Sequence, residues 1–330
     1  MQVLGKDKVI FSFNQDNKVA YFVDDGEVFT VETDDCYSGQ IKDSSVLRPD
    51  IDISIMDCSV GPIYVNGAEP DDALCVEILG IDFAPQGVMV TSPGLGVLGE
   101  KTEKANTKII PIKDGYAHFS KDIILPLTPM VGVIGVAPRS GDIHCAVPGD
   151  HGSNMDTKVI TVGSKVYLPV AVKGALLAVG DLHACMGDGE LSGTGIETAG
   201  KILMKTTVVK GTRLERPMVE TKDGMYTIAS AKEFKDGVHT AVEDMVNYLM
   251  RKTGLEFQDA YRLLSATCDI QVSQVVNDLH TFRVRAPKAL LKLGGIYKGT
   301  ETDFLRQHAA RGRLRRKFQS CPRAVFFARF

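Results

Sequence analysis

The sequence predicts a mainly β fold with a β-sandwich-like core, smaller α/β additions and a C-terminal helical segment. Three observations support this prediction. Residues 1–229 contain many short runs rich in Val, Ile and Thr. Turn-forming residues separate these runs, and few helix-like apolar patterns stand between them. This spacing is typical of a sandwich or barrel and disfavours an alternating βαβ sheet.

The predicted strands of this region follow one another with glycine, proline, aspartate or asparagine between them. Examples are Val9–Phe13, Glu27–Thr33, Leu74–Ile81, Lys108–Ile112, Val131–Val136, Lys165–Val170, Ala175–Val179 and Leu203–Val209.

The apolar period changes after residue 229. Apolar residues recur at three- and four-residue spacing from Phe234 to Leu249, which predicts a helix with one buried face. Ser230 and Glu233 resemble a capping box at its start, and Gly254 is expected to end it. The elements expected next are a second helix at Phe257–Leu264 and a strand at Thr281–Arg285.

Residues 1–300 are predicted to form a single unit, strand-rich over 1–229 and helix-containing over 230–300. Residues 301–330 form an atypical basic tail: from Arg306 to Phe330 there are eight basic residues and no acidic one. One interpretation is a basic arm that binds nucleic acid or an anionic membrane. The abrupt break in composition favours the other, a disordered or artefactual tail from out-of-frame translation.

The overall composition excludes several classes of protein. The chain has 330 residues, 44% of them hydrophobic and 24% charged, and a net charge of −3. This balance excludes predominant disorder and disfavours nucleic-acid binding. No apolar run approaches the roughly 20 residues that span a bilayer, and the N-terminus lacks a signal-peptide pattern. We therefore expect a cytoplasmic protein with no nucleic-acid or membrane partner, whose seven scattered cysteines are reduced.

The chemically informative stretch runs from Asp150 to Glu197. Asp181 and His183 are two positions apart, so on an extended strand both side chains lie on one face. A carboxylate and an imidazole suit a divalent cation, with Zn²⁺ as the first choice and Ca²⁺ as the alternative. The Gly-Asp-Gly turn that follows can bring Glu190 close to them. Spacing alone favours a plainer interpretation, a His–Asp hydrogen bond beside a hairpin turn.

A longer pattern changes this balance. Residues 151–197, HGSNMDTKVITVGSKVYLPVAVKGALLAVGDLHACMGDGELSGTGIE, resemble the acetamidase/formamidase family. That family shows His-Gly-Gly-Asn-x-Asp, a Gly-Ser before a strand that ends in Pro-Val, and Gly-Asp-x-His-x-x-x-Gly-Asp-Gly-Glu. Further similar segments, in the same order, are ETDDCYSGQI (32–41), GPIYVNGAEPDDALCVEI (61–78), GVIGVAP (132–138) and RLLSATCDIQVSQVV (262–276).

The resemblance covers nearly all of residues 1–290 and implies a mainly β fold. It also implies hydrolysis of short linear amides, such as acetamide and formamide, to the carboxylate and ammonia by a metal-activated water. The small amide is the expected partner, and the fold size with exposed sheet edges leads us to expect a homo-oligomer. Ser153 replaces a glycine usual in the family, a change that is tolerated unless φ is positive there.

Roles follow for the residues at the matching positions and their neighbours. The predicted metal ligands are Asp35, Asp181 and His183. The predicted catalytic residues are Glu190 as general base, His151, and Asn154 as a donor to the oxyanion. Asp156 and Glu197 are expected to support the ligands or bind substrate, although Glu197 fits an ordinary sheet position equally well.

Two other functions stay open. A non-catalytic β-sandwich that binds Ca²⁺ or a small ligand would also use acidic turns, but an imidazole such as His183 favours Zn²⁺. An amidase with a cysteine or serine nucleophile would need a base beside that nucleophile. His144 and Cys145 are adjacent, and adjacent residues on a strand point to opposite faces.

Overall fold

The computed structural model describes residues 1–292, with 40% of residues in strands and 15% in helices. The predicted mainly β fold with a C-terminal helical segment is confirmed. The basic tail at 301–330 lies outside the described residues, and the single unit over 1–300 stays a prediction. Among the described helices, none has the length and apolar character needed to cross a membrane.

The secondary structure of residues 1–292 is dominated by short strands. The strands are β1 (Gln2–Leu4), β2 (Val9–Ile10), β3 (Ser12–Phe13), β4 (Tyr21–Val23), β5 (Val28–Thr33), β6 (Ser59–Val65), β7 (Ala73–Phe83), β8 (Gln86–Thr91), β9 (Asn106–Lys113), β10 (Tyr116–His118), β11 (Ile124–Pro126), β12 (Met130–Gly135), β13 (Ile143–His144), β14 (Gly152–Asn154), β15 (Lys165–Pro169), β16 (Leu177–His183), β17 (Glu197–Thr198), β18 (Gly200–Val209), β19 (Met218–Glu220), β20 (Gly224–Ala231), β21 (Asp269–Gln274) and β22 (His280–Pro287). The helices are α1 (Phe234–Thr253), α2 (Phe257–Thr267) and α3 (Lys288–Lys292), with 3₁₀ turns at Arg48–Asp50, Ile53–Ile55 and Gly99–Lys101.

Two large sheets share one hydrophobic core. The first sheet has the strand order β1-β5-β18-β7-β15-β19-β20-β22-β21. The second has the order β11-β10-β9-β8-β17-β16-β12-β14, and β6 joins it by pairing with β16 while carrying β2 and β4. Phe29 and Ile202 of the first sheet and Val60 and Val131 of the second belong to the same buried cluster. The two sheets therefore enclose a sandwich-like core, as predicted.

Strands of the two sheets differ in how many of their faces are covered. In β18, Ile202, Met204 and Val208 are buried while their neighbours are more exposed, so one face is in the core. Every residue of β12 and of β16 is buried. These two neighbouring strands are therefore covered on both faces, one by the core and the other by the segments that build the site.

The helical segment packs against one end of the first sheet. Met245 and Leu249 of α1 pack into a second cluster that includes Val284 of β22. Gly254 ends the helix as predicted, with φ +68 and its N–H donated to Met250 O. The predicted capping box is wrong, however. Glu233 is the N-cap and makes no side-chain cap, because β20 continues to Ala231 and the Ser230 hydroxyl pairs instead with Thr281 across the sheet.

Two strand predictions also need correction. The strand expected from Ala175 begins at Leu177, because Ala175 and Leu176 have φ +59 and +56 and form a turn. Strand β21 was not predicted; it pairs antiparallel with β22 and becomes the edge of the first sheet. The six described cysteines are free thiols, in agreement with the prediction.

Candidate active site

Asp181 and His183 lie on the face of β16 opposite to the core because the strand changes its side-chain alternation at Asp181. Val179 and Leu182 both point into the inter-sheet core, although strict alternation would pair residue 179 with residue 181. Asp181 has φ +56, and this left-handed residue shifts the alternation by one position. Asp181 and His183 therefore lie together on the opposite side of the sheet, with Asp181 Oδ1 3.1 Å from His183 Nε2.

Neighbouring strands bring two more carboxylates to the same imidazole. Glu197 of β17 lies directly opposite His183 in the sheet register, and its Oε2 is 3.0 Å from His183 Nε2. Gly195 N holds the other oxygen of Glu197 at 2.6 Å. Asp156 follows β14, which pairs with β12, and its Oδ1 is 3.9 Å from His183 Nε2. Three carboxylates thus surround one ring nitrogen.

Glu190 arrives from a loop rather than a strand. Its residue has φ +49 after Gly189 at φ +96, so two left-handed residues turn the side chain inward. Glu190, Asp156 and His183 offer donor atoms that all lie within 4.8 Å of one another. Cys36, Asp181 and Glu197 form a second such group with the same spacing.

All of these groups line one cavity of about 340 Å³. Five buried carboxylates face it, from Asp57, Asp156, Asp181, Glu190 and Glu197. Cys36, Tyr37, Asn154 and Asn277 also contribute to its wall. The cavity therefore concentrates acidic groups where water has little access.

Burial and mutual repulsion perturb the acid groups strongly. Burial, reinforced by the Asp181 charge, raises the pKa of Asp156 to about 7. Burial likewise raises the pKa of Glu197 to about 8 and that of Glu190 well above its ordinary value. Burial also opposes ionisation of Asp181, but the neighbouring imidazole outweighs it and lowers the Asp181 pKa.

The surroundings of His183 favour its charged form, whereas those of Asp156, Glu190 and Glu197 favour the neutral form. Burial disfavours the imidazolium, yet Glu197 and Asp181 outweigh burial and raise the His183 pKa well above its ordinary value.

The donor set fits a divalent cation. Glu197 Oε2 lies 3.0 Å from His183 Nε2 but makes no hydrogen bond in the described part of the chain, and such a buried group is costly unless another species meets it. Carboxylate oxygens with one imidazole suit Zn²⁺ or a similar ion. Gly132 leaves the room they need, because a Cβ there would lie 2.1 Å from Asp181 Oδ2.

A cation must displace the protons that the raised pKa values retain, so its affinity should depend on pH. Asp156 and Glu197, with pKa values of about 7 and about 8, are deprotonated as pH rises through this range. We expect the apparent affinity for Zn²⁺ to increase through pH 7 and 8, by about tenfold per pH unit for each proton displaced. Competition with a chelator at several pH values measures this slope. A pH-independent affinity, after correction for the chelator, would contradict it.

Two of the predicted site residues lie outside the cavity. Asp35 Oδ1 accepts hydrogen bonds from Tyr37 N at 3.1 Å and Gly39 N at 2.9 Å, so its carboxylate caps its own turn. The neighbouring Cys36 lines the cavity instead. The His151 ring is buried edge-on against Phe13, with its Nε2 unpartnered, and burial lowers its pKa to about 4. The structure thus places neither Asp35 nor His151 at the site where they were expected.

Asn154 does line the cavity, and its amide serves Asp156. With its amide oriented to satisfy the hydrogen bonding, Asn154 Nδ2 donates to Asp156 Oδ1 at 3.1 Å and Oδ2 at 2.8 Å. Asn277 Nδ2 approaches the same carboxylate at 3.5 Å. Asp156 and Glu197, which were expected to play supporting parts, are thus among the groups nearest His183.

Sequence reasoning missed three groups of the cavity wall: Cys36, Asp57 and Asn277. Asp57 has φ +56, and its N–H donates to Cys36 O at 2.7 Å, which ties these two segments together. Cys36 and Asn277 were within reach of the sequence, since Cys36 is inside one quoted family-like segment and Asn277 directly follows another.

A cysteine nucleophile at His144 and Cys145 has no support from the geometry. Cys145 Sγ points to Ile10 O at 3.6 Å, away from the cavity that His144 lines. Burial also raises the pKa of the Cys145 thiol far above its ordinary value, which disfavours the reactive thiolate.

Ser153 has φ +71, so serine is less favourable than the family's glycine at this position. Its hydroxyl donates to Cys145 O at 2.8 Å, a buried hydrogen bond that a glycine could not make. This bond partly offsets the left-handed backbone, whose cost is about 1 kcal/mol.

Comparison with known proteins gives a consistent result. The sequence profile of the Acetamidase/Formamidase family matches residues 6–145 and 141–284. The crystal structure of a predicted acetamidase/formamidase from Thermoanaerobacter tengcongensis superposes with a TM-score of 0.88 and 44% identity, over 90% of this chain and 98% of that one. An acetamidase from Bacillus halodurans gives a TM-score of 0.87 and 40% identity, over 89% and 100% of the two chains.

Curated relatives are more distant. A formamidase from Methylophilus methylotrophus is 30% identical over 244 residues, which cover 56% of this chain and 60% of the relative. The chain spans 60% to 65% of the length of the curated relatives that it matches. Because the profile match extends over most of the sequence, the chain belongs to the acetamidase/formamidase family.

Proposed function

We propose that this protein hydrolyses short linear amides to the carboxylate and ammonia. The observation that carries the proposal is the buried cavity in which Asp156, Asp181 and Glu197 surround His183 while Glu190 faces them from a separate loop. Family membership and the acetamidase and formamidase names of its relatives support the same reaction class.

Asp156, Asp181 and His183 would hold a divalent cation, Zn²⁺ in the first instance. When bound, the cation would supply Lewis acidity at the amide carbonyl and lower the pKa of a water molecule in the cavity. Glu197 Oε2 lies on the same ring nitrogen, His183 Nε2, and would add a further carboxylate to this set. Asn154 orients Asp156 through its two hydrogen bonds, so its contribution is to the ligand rather than to the oxyanion.

Glu190 performs the proton transfers. Its carboxylate accepts a proton from the attacking water as the C–O bond forms, and then delivers it to the amide nitrogen as the C–N bond breaks. Burial raises the pKa of Glu190 well above its ordinary value, so this carboxylate holds a proton more strongly than an exposed glutamate does. One residue can therefore serve both as base and as acid.

The dimensions of the cavity favour a small substrate. A volume of about 340 Å³ is near the lower end of the range, about 300–1,000 Å³, found for ligand pockets. Apolar side chains such as Ile53, Met56 and Leu95 also line the cavity, so its volume rather than its polarity limits the length of the acyl chain. Acetamide and formamide are thus the substrates to test first.

Ammonia release from formamide and acetamide, measured before and after chelation and after addition of Zn²⁺, tests the proposal. We expect activity that disappears on chelation and returns with the ion. His183→Ala should lower both bound metal and turnover, by about 10²-fold or more, since even residues that only support a metal ligand are worth 10–100-fold.

His239→Ala, a change on the exposed side of α1, provides the matched control and should leave both quantities unchanged. Full metal and full turnover in His183→Ala would contradict the assignment of this residue. Metal binding without ammonia release from any short amide would instead favour the non-catalytic binding protein.

A further inference from the structure

Arg283 of β22 is a buried cation behind the cavity, and it makes as many hydrogen bonds as it has N–H groups. Its side chain has no exposed surface. Nε donates to Gln271 Oε1 at 2.9 Å, and Nη1 donates to Val272 O at 3.2 Å and Ser273 Oγ at 3.0 Å. Nη2 donates to both carboxylate oxygens of Asp188, at 2.7 and 2.8 Å. This geometry fixes Asp188 in position and in plane.

Asp188 belongs to the loop that presents Glu190. The backbone of this loop is tied to the end of β21: Gly189 N donates to Ser273 O at 2.9 Å, and Val275 N donates to Gly189 O at 3.1 Å. Arg283 therefore connects the Asp188 side chain to β21, the strand whose end also binds the backbone of Gly189. Glu190 directly follows Gly189, whose N–H and carbonyl are both hydrogen-bonded to this end of β21.

The same network extends to the segment that carries Asp156. Ser273 Oγ, which receives a hydrogen bond from Arg283, also pairs with Thr157 Oγ1 at 2.9 Å. Lys158 Nζ lies 3.0 Å from the Asp188 carboxylate. The segment that carries Asp156 and the loop that carries Glu190 are thus both connected by hydrogen bonds to the Arg283 guanidinium.

Stability alone is a weak reason for such an arrangement. The buried Arg283 guanidinium loses its hydration, whereas the Asp188 side chain stays 34% exposed, so the attraction between them offsets little of that loss. What the guanidinium supplies is a fixed relative position for three chain segments. We propose that Arg283, acting through Asp188, is a positioning residue that sets the distance between Glu190 and the reacting water. This inference rests on the proposed amidase function.

Asp188→Asn should lower kcat for acetamide by about 10- to 100-fold, because a misplacement of about 1 Å can cost 10²-fold in rate. KM and bound Zn²⁺ should stay unchanged, since neither the cavity wall nor the metal ligands are altered. If the single variant folds poorly with Arg283 unpaired, Asp188→Asn combined with Arg283→Gln removes both charges together. The same split between kcat and KM is expected.

A double-mutant cycle with Glu190→Gln separates positioning from general damage. If Asp188 acts through Glu190, Asp188→Asn should have little further effect on kcat when residue 190 is already glutamine. An equal loss in both backgrounds, or a loss of bound metal, would overturn the inference.

The matched control is the ion pair between Arg285 of β22 and Asp269 of β21. Arg285 Nη1 lies 3.2 Å from Asp269 Oδ2, and both side chains are partly exposed. Arg285→Gln combined with Asp269→Asn should leave kcat within about twofold. If Asp188→Asn has a normal kcat while Glu190→Gln has a strongly lowered kcat, the positioning role is overturned and the proposed function stands.

Discussion

Glu190→Gln is expected to lower kcat for acetamide by about 10²–10⁴-fold while the protein keeps its metal, the usual contribution of a positioned acid–base group. Glutamine preserves the size of the side chain and one hydrogen-bond acceptor, but it cannot take a proton. The neutral side chain also relieves repulsion from Asp156, the charged neighbour that contributes most, after burial, to the raised pKa of Glu190. We therefore expect the variant to fold at least as readily as the parent protein.

Metal stoichiometry and kcat should be measured on the same purified sample. Glu100→Gln, an exposed residue of a 3₁₀ turn that does not line the cavity, is a control for the change of charge. Lost metal together with lost turnover would make Glu190 a ligand rather than the base. Unchanged turnover would remove the central residue of the proposed mechanism.

Gly132→Ala is expected to abolish metal binding and with it activity. The added Cβ would lie 2.1 Å from Asp181 Oδ2 and 2.7 Å from Asp156 Oδ1, so both carboxylates must move apart. Gly132 is in β12 and is not among the residues with positive φ, so alanine suits its backbone. The effect therefore reports on space at the site rather than on backbone strain, with a stability cost of about 1–3 kcal/mol for overpacking.

Gly80→Ala in β7 is the matched control, because its nearest neighbour is Leu203 Cβ at an ordinary 3.6 Å. Thermal unfolding with and without Zn²⁺ gives the clearest comparison. Zn²⁺ should raise the Tm of the parent and of Gly80→Ala but not that of Gly132→Ala. A Zn²⁺-dependent rise of parental size in Gly132→Ala would contradict the proposed closeness of the two carboxylates.

Many of the core strands, both longer helices and the pairing of Asp181 with His183 were accessible from local sequence patterns, whereas the core strands β6 and β20 were not among the named segments. Apolar alternation identified most core strands, and a two-residue spacing placed a carboxylate beside an imidazole. The positions of Glu197 and Asp156 were less accessible. They depend on the pairing of β17 with β16 and of β14 with β12, which is a property of the sheet register rather than of any one segment.

The difference between Asp35 and Cys36 illustrates the same limit at single-residue scale. Both lie in a turn, and the Asp35 carboxylate finds two backbone N–H groups within that turn. Local hydrogen bonding therefore satisfies the aspartate and leaves the thiol to face the cavity. The His151 ring packs edge-on against Phe13, a residue of the small cluster with Val133 and Ala178, and does not line the cavity.

The left-handed backbone at Asp57, Asp156, Asp181 and Glu190 has a consequence for how the protein can change over time. Each such residue carries a cost of roughly 1–3 kcal/mol, and each also places a carboxylate among like charges. Asparagine or glycine at any of these positions would relieve both penalties. Mutational selection for heat tolerance alone, without a requirement for turnover, would therefore erode the site before the core.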